Sequence, residues 1–427
     1  MKNIIGITLL ALIANLVQAQ TNAELNGLIN QSFNYFPKVK EAEKAYELGD
    51  VRVNIARGAY LPSVAGNASY NYIDPVGQAS FPTGPDQTRS IQFQPQHNYN
   101  ANVSLNQVIW DFGKTQSQIE KAKSDLQLQQ YNTDALKLQL ASQVANVYYT
   151  LIYLKQAIVV QDSIISFYEQ NKKIVEGKIR HGDALQIDLL NIDNSLEQEK
   201  SRKIEFQRLH QRQLALLQYT TGAASEPTVS VFDFQWHANG ASPEQQNPEV
   251  LAATQRVLSA EAERKSAQRH QLPSLNLAGS AGFRNGYQPD IDQTRFNYLA
   301  GVTLSMPIFQ GRRLRQGVEL NQRVVELNEL SKANLLATIR KDMASNETDI
   351  RAYHQQIQLS SIQVKSANEA LRLNQVRYQK GVSTYLDLVY ASTNLQRAML
   401  NKLQYEYQYC LSQVEKARLS GDKFWAE

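Results

Sequence analysis

Between Asn98 and Asn106 the chain alternates apolar and polar residues: positions 99, 101, 103 and 105 are apolar, and the positions between them are asparagine or serine. This period of two is typical of a β-strand with one apolar face and one polar face. After Trp110–Gly113 the apolar residues are instead spaced by three and four, and no proline occurs from Lys114 to Ile179. The second pattern predicts a helix of about 66 residues, about 100 Å long at 1.5 Å per residue.

The same succession of patterns occurs twice in the chain. Leu61-Pro62-Ser63 recurs as Leu272-Pro273-Ser274, 211 residues later, and Asp188-Leu189 recurs as Asp387-Leu388, 199 residues later. The offset changes within the segments that join the paired strands. We therefore interpret the chain as an internal duplication, each half consisting of helix, strand, loop, strand, long helix, tight turn and long helix.

These patterns give the domain boundaries. Residues 1–19 have the features of a secretory signal peptide: a basic Lys2, an apolar core at Ile4–Leu16 and a small residue, Ala19, at the cleavage site. The first repeat is expected at 20–220, with strands at about 63–73 and 97–108 and a helix pair at about 114–220. The second repeat is expected at 248–419, with strands at about 274–284 and 295–306 and a helix pair at about 312–419. An inter-repeat segment at 221–247 separates the two, and a C-terminal tail follows at 420–427.

Three finer expectations concern the irregular segments. The residues between the first two strands, 74–96, contain four prolines and two glycines and are expected to form a loop. A short strand is expected at 228–234. The inter-repeat segment and the C-terminal tail are expected to pack together near the middle of the long helices.

The composition argues against several classes of function. With 44 basic and 40 acidic residues, the net charge is +4, and there is no basic stripe of the kind that binds nucleic acid. The six histidines are scattered without metal-ligand spacing, and the single cysteine, Cys410, has no partner for an internal disulfide. The sequence therefore predicts neither an enzyme nor a protein that holds a metal or a cofactor.

The four strands of one chain predict an assembly. No later segment reaches the 18 apolar residues of a transmembrane helix, so membrane insertion would require a barrel. Four strands cannot close a barrel, and several copies would have to contribute strands. Two copies give eight strands around a filled interior, whereas three give twelve strands around a lumen. The polar faces of Asn, Ser and Thr favour three.

The turn between the last two helices resembles a known family. The segment Arg377–Leu388 contains a Tyr-x-x-Gly turn, and an aspartate follows the glycine by six residues. Together with the repeat, this motif is similar to the TolC family of outer-membrane efflux proteins. The resemblance implies a mainly α-helical homotrimer of a Gram-negative bacterium, with a twelve-strand barrel in outer-membrane lipid and a periplasmic tunnel of antiparallel coiled-coil helices. It also implies two partners, a periplasmic adaptor protein and an inner-membrane pump, for which the tunnel exports substrates in efflux or type I secretion.

The resemblance also implies roles for particular residues. Tyr378 and Asp188 match a link that closes the tunnel tip, although Ser383 stands where the family has an arginine. Asp387 and Tyr390 match two constriction positions, both of which can be aspartate in the family, so Tyr390 replaces the second aspartate. Three copies of Asp387 would form a ring that favours cations and that raises the apparent pKa of each carboxyl group. The turn glycines Gly182 and Gly381 match the sites at which the adaptor docks.

Two other functions are compatible with long helices. One is a trimeric adhesin, in which strands anchor a coiled-coil stalk to the outer membrane, although adhesins usually carry their anchor strands at one end of the chain. The other is a soluble structural coiled coil. The signal peptide and the alternating strands argue against it.

Overall fold

The computed structural model describes residues 23–85, 87–223, 226–236 and 242–426, so the expected signal peptide lies outside the described residues. The chain is mainly helical, with a smaller number of strands. In chain order the elements are a helix α1 at 23–35, α2 (Pro37–Gly58), β1 (Ser63–Tyr72), β2 (Gln78–Gly84), β3 (Gln87–Gln92), β4 (His97–Trp110), α3 (Lys114–His181), α4 (Gln186–Thr221), α5 (Pro243–Gln246), α6 (Pro248–Arg269), β5 (Ser274–Arg284), β6 (Arg295–Ser305), α7 (Arg313–Gln379) and α8 (Tyr385–Ser420).

The described chain divides into two compact units. The first, the helical unit, contains the residues up to Lys44, Tyr131–Ala252 and the residues from Lys332 onward. The second, the sheet unit, contains Ala45–Gln130 and Ala253–Ser331. None of the helices in the described ranges is both long enough and apolar enough to cross a bilayer.

The sheet unit contains a four-stranded antiparallel sheet in the order β1-β4-β5-β6. β1 and β4 pair from Ser63 opposite Asn106 to Tyr72 opposite His97. The β4–β5 ladder is regular except for a bulge between Val108 and Trp110, where β4 ends. Every strand in this sheet has 10 to 14 residues.

The expectation that residues 74–96 form only a loop is wrong, because the segment contains two further strands. β2 and β3 form an antiparallel hairpin there, in which Gln78 lies opposite Gln92 and the Ser90 hydroxyl donates to Gln78 Oε1 (3.1 Å). The ladder is irregular between Pro82 and Gly84. Because proline lacks an N–H donor, Pro82 weakens a strand pattern in the sequence, although a two-stranded hairpin tolerates it.

The core of the helical unit surrounds Tyr148 and Tyr149 of α3, which are 0 and 1% exposed. Their rings meet edge to face with 5.2 Å between centroids. The Tyr148 hydroxyl donates to Glu24 Oε2 (3.0 Å) and the Tyr149 hydroxyl donates to Asp233 Oδ1 (3.4 Å), so both buried hydroxyls have acceptors. Cys410 is buried in the same core as a free thiol.

The inter-repeat segment and the C-terminal tail meet at this core. The rings of Phe234 and Phe424 are 5.4 Å apart at a near-perpendicular angle, and the Trp236 indole N–H donates to Asp422. Asn247 Nδ2 donates to the carbonyl oxygen of Leu419 at the end of α8 (3.0 Å). The two segments therefore close the core that α3 and α8 share.

The expectation of a strand at 228–234 is wrong. This segment is irregular, and helix side chains bond to two of its backbone groups. Thr228 N–H donates to Glu24 Oε1 (3.0 Å), and the carbonyl oxygen of Ser230 accepts from the side chain of Gln156. Backbone N–H and C=O groups that already form hydrogen bonds with helix side chains do not require a neighbouring strand as partner.

Each strand-to-helix junction contains two consecutive residues in the left-handed conformation. Before α3 these are Phe112 (φ 54°) and Gly113 (φ 85°), and before α7 they are Gly311 (φ 58°) and Arg312 (φ 65°). At the first junction the Asp111 carboxylate accepts from the N–H groups of Gly113 and Thr115 at 3.0 and 2.6 Å. These sharp reversals end the strands and start the helices.

Candidate functional site

One face of the four-stranded sheet is apolar because the register aligns the apolar positions of all four strands. Val64 lies opposite Leu105, and Leu277 lies opposite Val302. Several side chains on this face are largely exposed in the described chain: Val64 is 64%, Val302 59% and Tyr298 80% exposed. An aligned and uncovered apolar face of this kind indicates contact with lipid or with another protein.

The opposite face of the sheet is polar. Asn67 lies opposite Asn102, and Asn67 Nδ2 donates to Asn102 Oδ1 (3.3 Å) and to Ser104 Oγ (3.0 Å). Asn276 lies opposite Thr303 on the same face, on which Leu299 is an apolar exception. The amide and hydroxyl groups of this face suit contact with water.

The helical unit provides a second candidate site at its two helix-to-helix turns. Gly182 (φ 83°) follows α3 and Gly381 (φ 75°) follows α7. Past each glycine, the next N–H returns to the last turn of the helix, from Asp183 to Lys178 O (2.9 Å) and from Val382 to Arg377 O (2.9 Å). This is the Schellman arrangement, in which a left-handed glycine ends a helix without the steric cost of a side chain.

The predicted tip residues Asp188 and Asp387 both lie at the third position of the helix that follows a turn. Asp387 Oδ2 accepts from the backbone N–H and the hydroxyl of Thr384 at 2.9 and 2.8 Å, and Asp387 N–H donates to Thr384 Oγ1 (3.3 Å). These contacts form a complete capping box. At the other turn Leu185 replaces threonine, and Asp188 Oδ2 accepts from Leu185 N–H alone (3.1 Å).

The hydrogen bonds of the cap lower the pKa of Asp387, first through the backbone N–H and then through the hydroxyl of Thr384. Crowding of like charges would act in the opposite direction. Within one chain the nearest groups are hydrogen-bond donors, and the pKa of Asp387 is therefore lowered. The rise expected for a ring of three Asp387 carboxylates stays a prediction for the assembly.

Tyr378 is 6% exposed, in an apolar cluster that also includes Tyr385 and Leu388. Burial raises the pKa of its hydroxyl, and the negative charge of Asp188 adds to the rise. In the described chain, however, no hydrogen bond joins Tyr378 to Asp188, so the predicted link between them stays a prediction.

Sequence reasoning missed Lys178, which contacts Tyr378 instead. Its Nζ donates to the carbonyl oxygen of Tyr378 (2.7 Å) and lies 4.1 Å from the centroid of the ring. The two residues are 200 positions apart. A basic residue in the last turn of a helix can be noticed in the sequence, but this partner cannot.

Tyr390 lies one turn after Asp387 in α8 and is 71% exposed. Large apolar side chains around both turns are also exposed, including Leu185 at 68%, Val382 at 65% and Leu386 at 66%. The turns therefore present uncovered apolar surface. No group of three or more His, Cys, Asp or Glu within the described ranges is arranged to hold a metal ion.

Comparison with known proteins identifies the family. The family model of outer membrane efflux proteins matches residues 28–223 and 242–421, which is most of the chain. The chain belongs to this family. The resemblance to TolC-like efflux proteins and the predicted outer-membrane localisation are therefore confirmed.

The chain is similar to curated and solved members of the family at low identity. It is 23% identical over 312 residues to the pyoverdine export outer membrane protein OpmQ of Pseudomonas putida, an alignment that covers 70% of this chain and 65% of OpmQ. The chain thus matches a little less than two thirds of the length of that relative. Two solved structures show the same mainly helical fold with strands: the Vibrio cholerae outer membrane protein VceC (TM-score 0.79, 17% identity, 94% of this chain and 97% of VceC) and the Campylobacter jejuni CmeC channel (TM-score 0.77, 18% identity, 93% of this chain and 85% of CmeC).

Proposed function

We propose that the protein is an outer-membrane export duct, formed by three copies of the chain and working with a tripartite efflux or type I secretion system. The observation that carries this proposal is the two-faced sheet. β1 and β6 each pair with a single neighbour in the described chain, so the sheet has two open edges. Unpaired backbone groups in lipid cost several kcal/mol each, and strands from other copies would have to pair with them. Three copies give about twelve strands, enough for a water-filled lumen.

The helices would continue the duct in the periplasm. α3 has 68 and α7 has 67 residues, and each is followed by a 36-residue helix after a short turn. Together with the repeated sequence motifs, these matched lengths support an internal duplication. We infer that the two helix pairs of each chain form antiparallel coiled coils, six pairs in the trimer, which line a tunnel.

The exposed apolar residues at the two turns support a docking role. A periplasmic adaptor protein would contact Gly182, Gly381 and the side chains beside them, and would connect the duct to an inner-membrane pump. The relative OpmQ is named for pyoverdine export. That name supports export as the activity and leaves the substrate of this chain open.

Asp387 and Tyr390 would line the narrowest part of the duct, as their match to the constriction positions of the family implies. Both are exposed, one turn apart at the start of α8, which is compatible with this role. The link between Tyr378 and Asp188 would form where neighbouring helix pairs meet in the closed duct. A passive duct of this kind needs no catalytic group, metal or cofactor. The adhesin alternative lacks support, because the family is one of efflux proteins.

Reconstitution in a planar bilayer tests the proposal. We expect the purified trimer to conduct ions, with a preference for cations that Asp387→Asn reduces. Asparagine keeps an oxygen that can accept the Thr384 hydrogen bonds, so the variant removes charge while it keeps the cap. Asp183→Asn, at the other turn, is the matched control and should change selectivity less. A trimer that inserts without conducting would contradict the duct, whereas unchanged selectivity in Asp387→Asn would remove that residue from the constriction.

A further inference from the structure

All four strands of the sheet meet helices at the same end of the sheet, where the strands begin or finish. This end, which is distinct from the open sides at β1 and β6, is here called the strand–helix edge. β1 begins at Ser63 opposite Asn106, β5 begins at Ser274 opposite Ser305, and β4 ends at Trp110 opposite Leu275. Arg269 NH1 also donates to the carbonyl oxygen of Phe112 (3.1 Å), which ties two of the connecting segments together. The edge is defined by the segments 57–62, 111–114, 269–273 and 306–315.

The strand–helix edge is strongly basic. The single carboxylate in these four segments belongs to Asp111, which is 7% exposed. It accepts hydrogen bonds from the N–H groups of Gly113 and Thr115 at the start of α3. Against it, the four segments contain six lysine or arginine residues: Arg57, Lys114, Arg269, Arg312, Arg313 and Arg315.

The three arginines at the start of α7 are free to meet a ligand. Arg312, Arg313 and Arg315 are all exposed, and within the described ranges none has a carboxylate at ion-pair distance. Arg313 donates to the neutral Gln310 Oε1 (3.0 Å). Arg312 moreover occupies a left-handed position that favours glycine, which is the residue at the equivalent point of the first junction.

Exposed apolar side chains lie on the sheet side of these arginines. Ile308 is 93%, Phe309 81% and Trp110 61% exposed. Along 306–315 the chain therefore passes from apolar to cationic within ten residues. This order matches the boundary of a bilayer, where hydrocarbon gives way to charged headgroups.

The opposite edge of the sheet has a different charge. Its connecting segments, 73–96 and 285–294, contain four aspartates and one arginine, Arg89. The strands end there at Arg284 and Arg295, and Arg295 pairs with Asp290 (3.5 Å). The excess of positive charge is therefore confined to the strand–helix edge, and the two edges should prefer different surroundings.

We infer that the strand–helix edge binds the phosphate groups of anionic phospholipids in the leaflet that faces the periplasm. The inference rests on the proposed function, because it requires the sheet to lie in the outer membrane with its helices on the periplasmic side. The occupant is a phospholipid, since the apolar residues beside the arginines would contact acyl chains that a free phosphate lacks. Bound lipid would fix the depth of the sheet in the membrane and stabilise the two junctions.

Native mass spectrometry of the trimer released from nanodiscs tests this inference. The nanodiscs contain equal amounts of phosphatidylglycerol and phosphatidylcholine, and a parallel set adds lipid A. We expect the unmodified trimer to retain phosphatidylglycerol over phosphatidylcholine, by about fivefold for each arginine that contacts a headgroup. The triple variant Arg312→Gln, Arg313→Gln and Arg315→Gln should lose most of that preference. The matched control, Arg89→Gln, Arg284→Gln and Arg295→Gln at the opposite edge, should keep it.

The variant Arg312→Gly separates charge from folding. Glycine suits the left-handed backbone at this position, so the trimer should be at least as resistant to heat while its preference for phosphatidylglycerol falls by about fivefold. The inference would be overturned if both triple variants retained phosphatidylglycerol equally. It would also be overturned if the variant at positions 312, 313 and 315 lost only lipid A. Either result would leave the proposed duct unaffected. Failure of the unmodified chain to form trimers in nanodiscs would contradict the proposed function itself.

Discussion

Two apolar surfaces of this protein have opposite surroundings. In the helical unit, Tyr148 and Tyr149 are almost fully buried and their hydroxyls have acceptors within the chain. In the sheet unit, Tyr298 and Val302 are aligned with equal regularity but remain largely exposed. The comparison teaches that a regular apolar pattern predicts a surface that is shielded from water. The atoms that shield it do not always belong to the same chain. The first surface contributes to folding, and we propose that the second contributes to membrane insertion.

The largest expected effect comes from the buried surface. Tyr149→Ala removes a ring from a core with no solvent access and should lower the free energy of unfolding by about 3–5 kcal/mol, as for other large aromatic deletions. Tyr298→Ala, its control on the exposed surface, should leave the thermal midpoint of the detergent-solubilised protein nearly unchanged. Circular dichroism of both variants on heating would measure the difference. Equal losses would mean that the two surfaces are covered alike.

A charge on the exposed surface should affect insertion instead. Ala300 lies at the centre of β6 on the apolar face, and Ala300→Lys should cost about 2–4 kcal/mol per chain if that face meets hydrocarbon. The neighbouring Gly301 lies on the polar face, where a Cβ would have no heavy atom within 4 Å, so Gly301→Lys is a closely matched control. The fraction inserted into vesicles, read from the heat-dependent shift in gel mobility, should fall for the first variant alone. Insertion of both to the same extent would remove the distinction between the faces.

The two turns offer a smaller and local comparison. Thr384→Ala removes the capping hydroxyl before α8 and should destabilise that helix end by about 1 kcal/mol. Leu185→Thr completes the equivalent box before α4 and should stabilise it by a similar amount. Amide hydrogen exchange of the first helical turns would report both changes. No change in exchange at either turn would show that packing, rather than capping, fixes these helix starts.

The smallest expected effect depends on pH. Because the folded-state pKa of Asp387 is lowered, its contribution is fully present above the unfolded-state value of about 4 and is lost as the pH falls through the folded-state pKa. Exchange protection in the first turn of α8, corrected for the intrinsic rate, should therefore decrease below about pH 4. Asp387→Asn should show no such dependence. Protection that decreases already near pH 6 in the trimer would instead indicate the crowded ring of carboxylates.

Short-range patterns predicted much of this structure. The alternation at 98–106 indicates a strand that the structure extends to Trp110, and the proline-free stretch from Lys114 indicates a helix that ends at His181. The capping box could have been found too, since Thr384 and Asp387 have the spacing of that motif. The hairpin of β2 and β3 could not, because Pro82 and the scarcity of apolar residues conceal its pairing. Contacts such as the one between Lys178 and Tyr378 depend on how distant helices meet, which periodicity does not specify.

The most direct test of the central claim is the accessibility of adjacent cysteines in the outer membrane of intact cells. Val302→Cys and Thr303→Cys place a thiol on the apolar and the polar face of β6, and the native Cys410 is 1% exposed and should not react. If the sheet encloses water and faces lipid, a water-soluble thiol reagent should label Thr303→Cys and leave Val302→Cys unlabelled. Labelling of Val302→Cys with protection of Thr303→Cys, or equal labelling of the two, would contradict the claim.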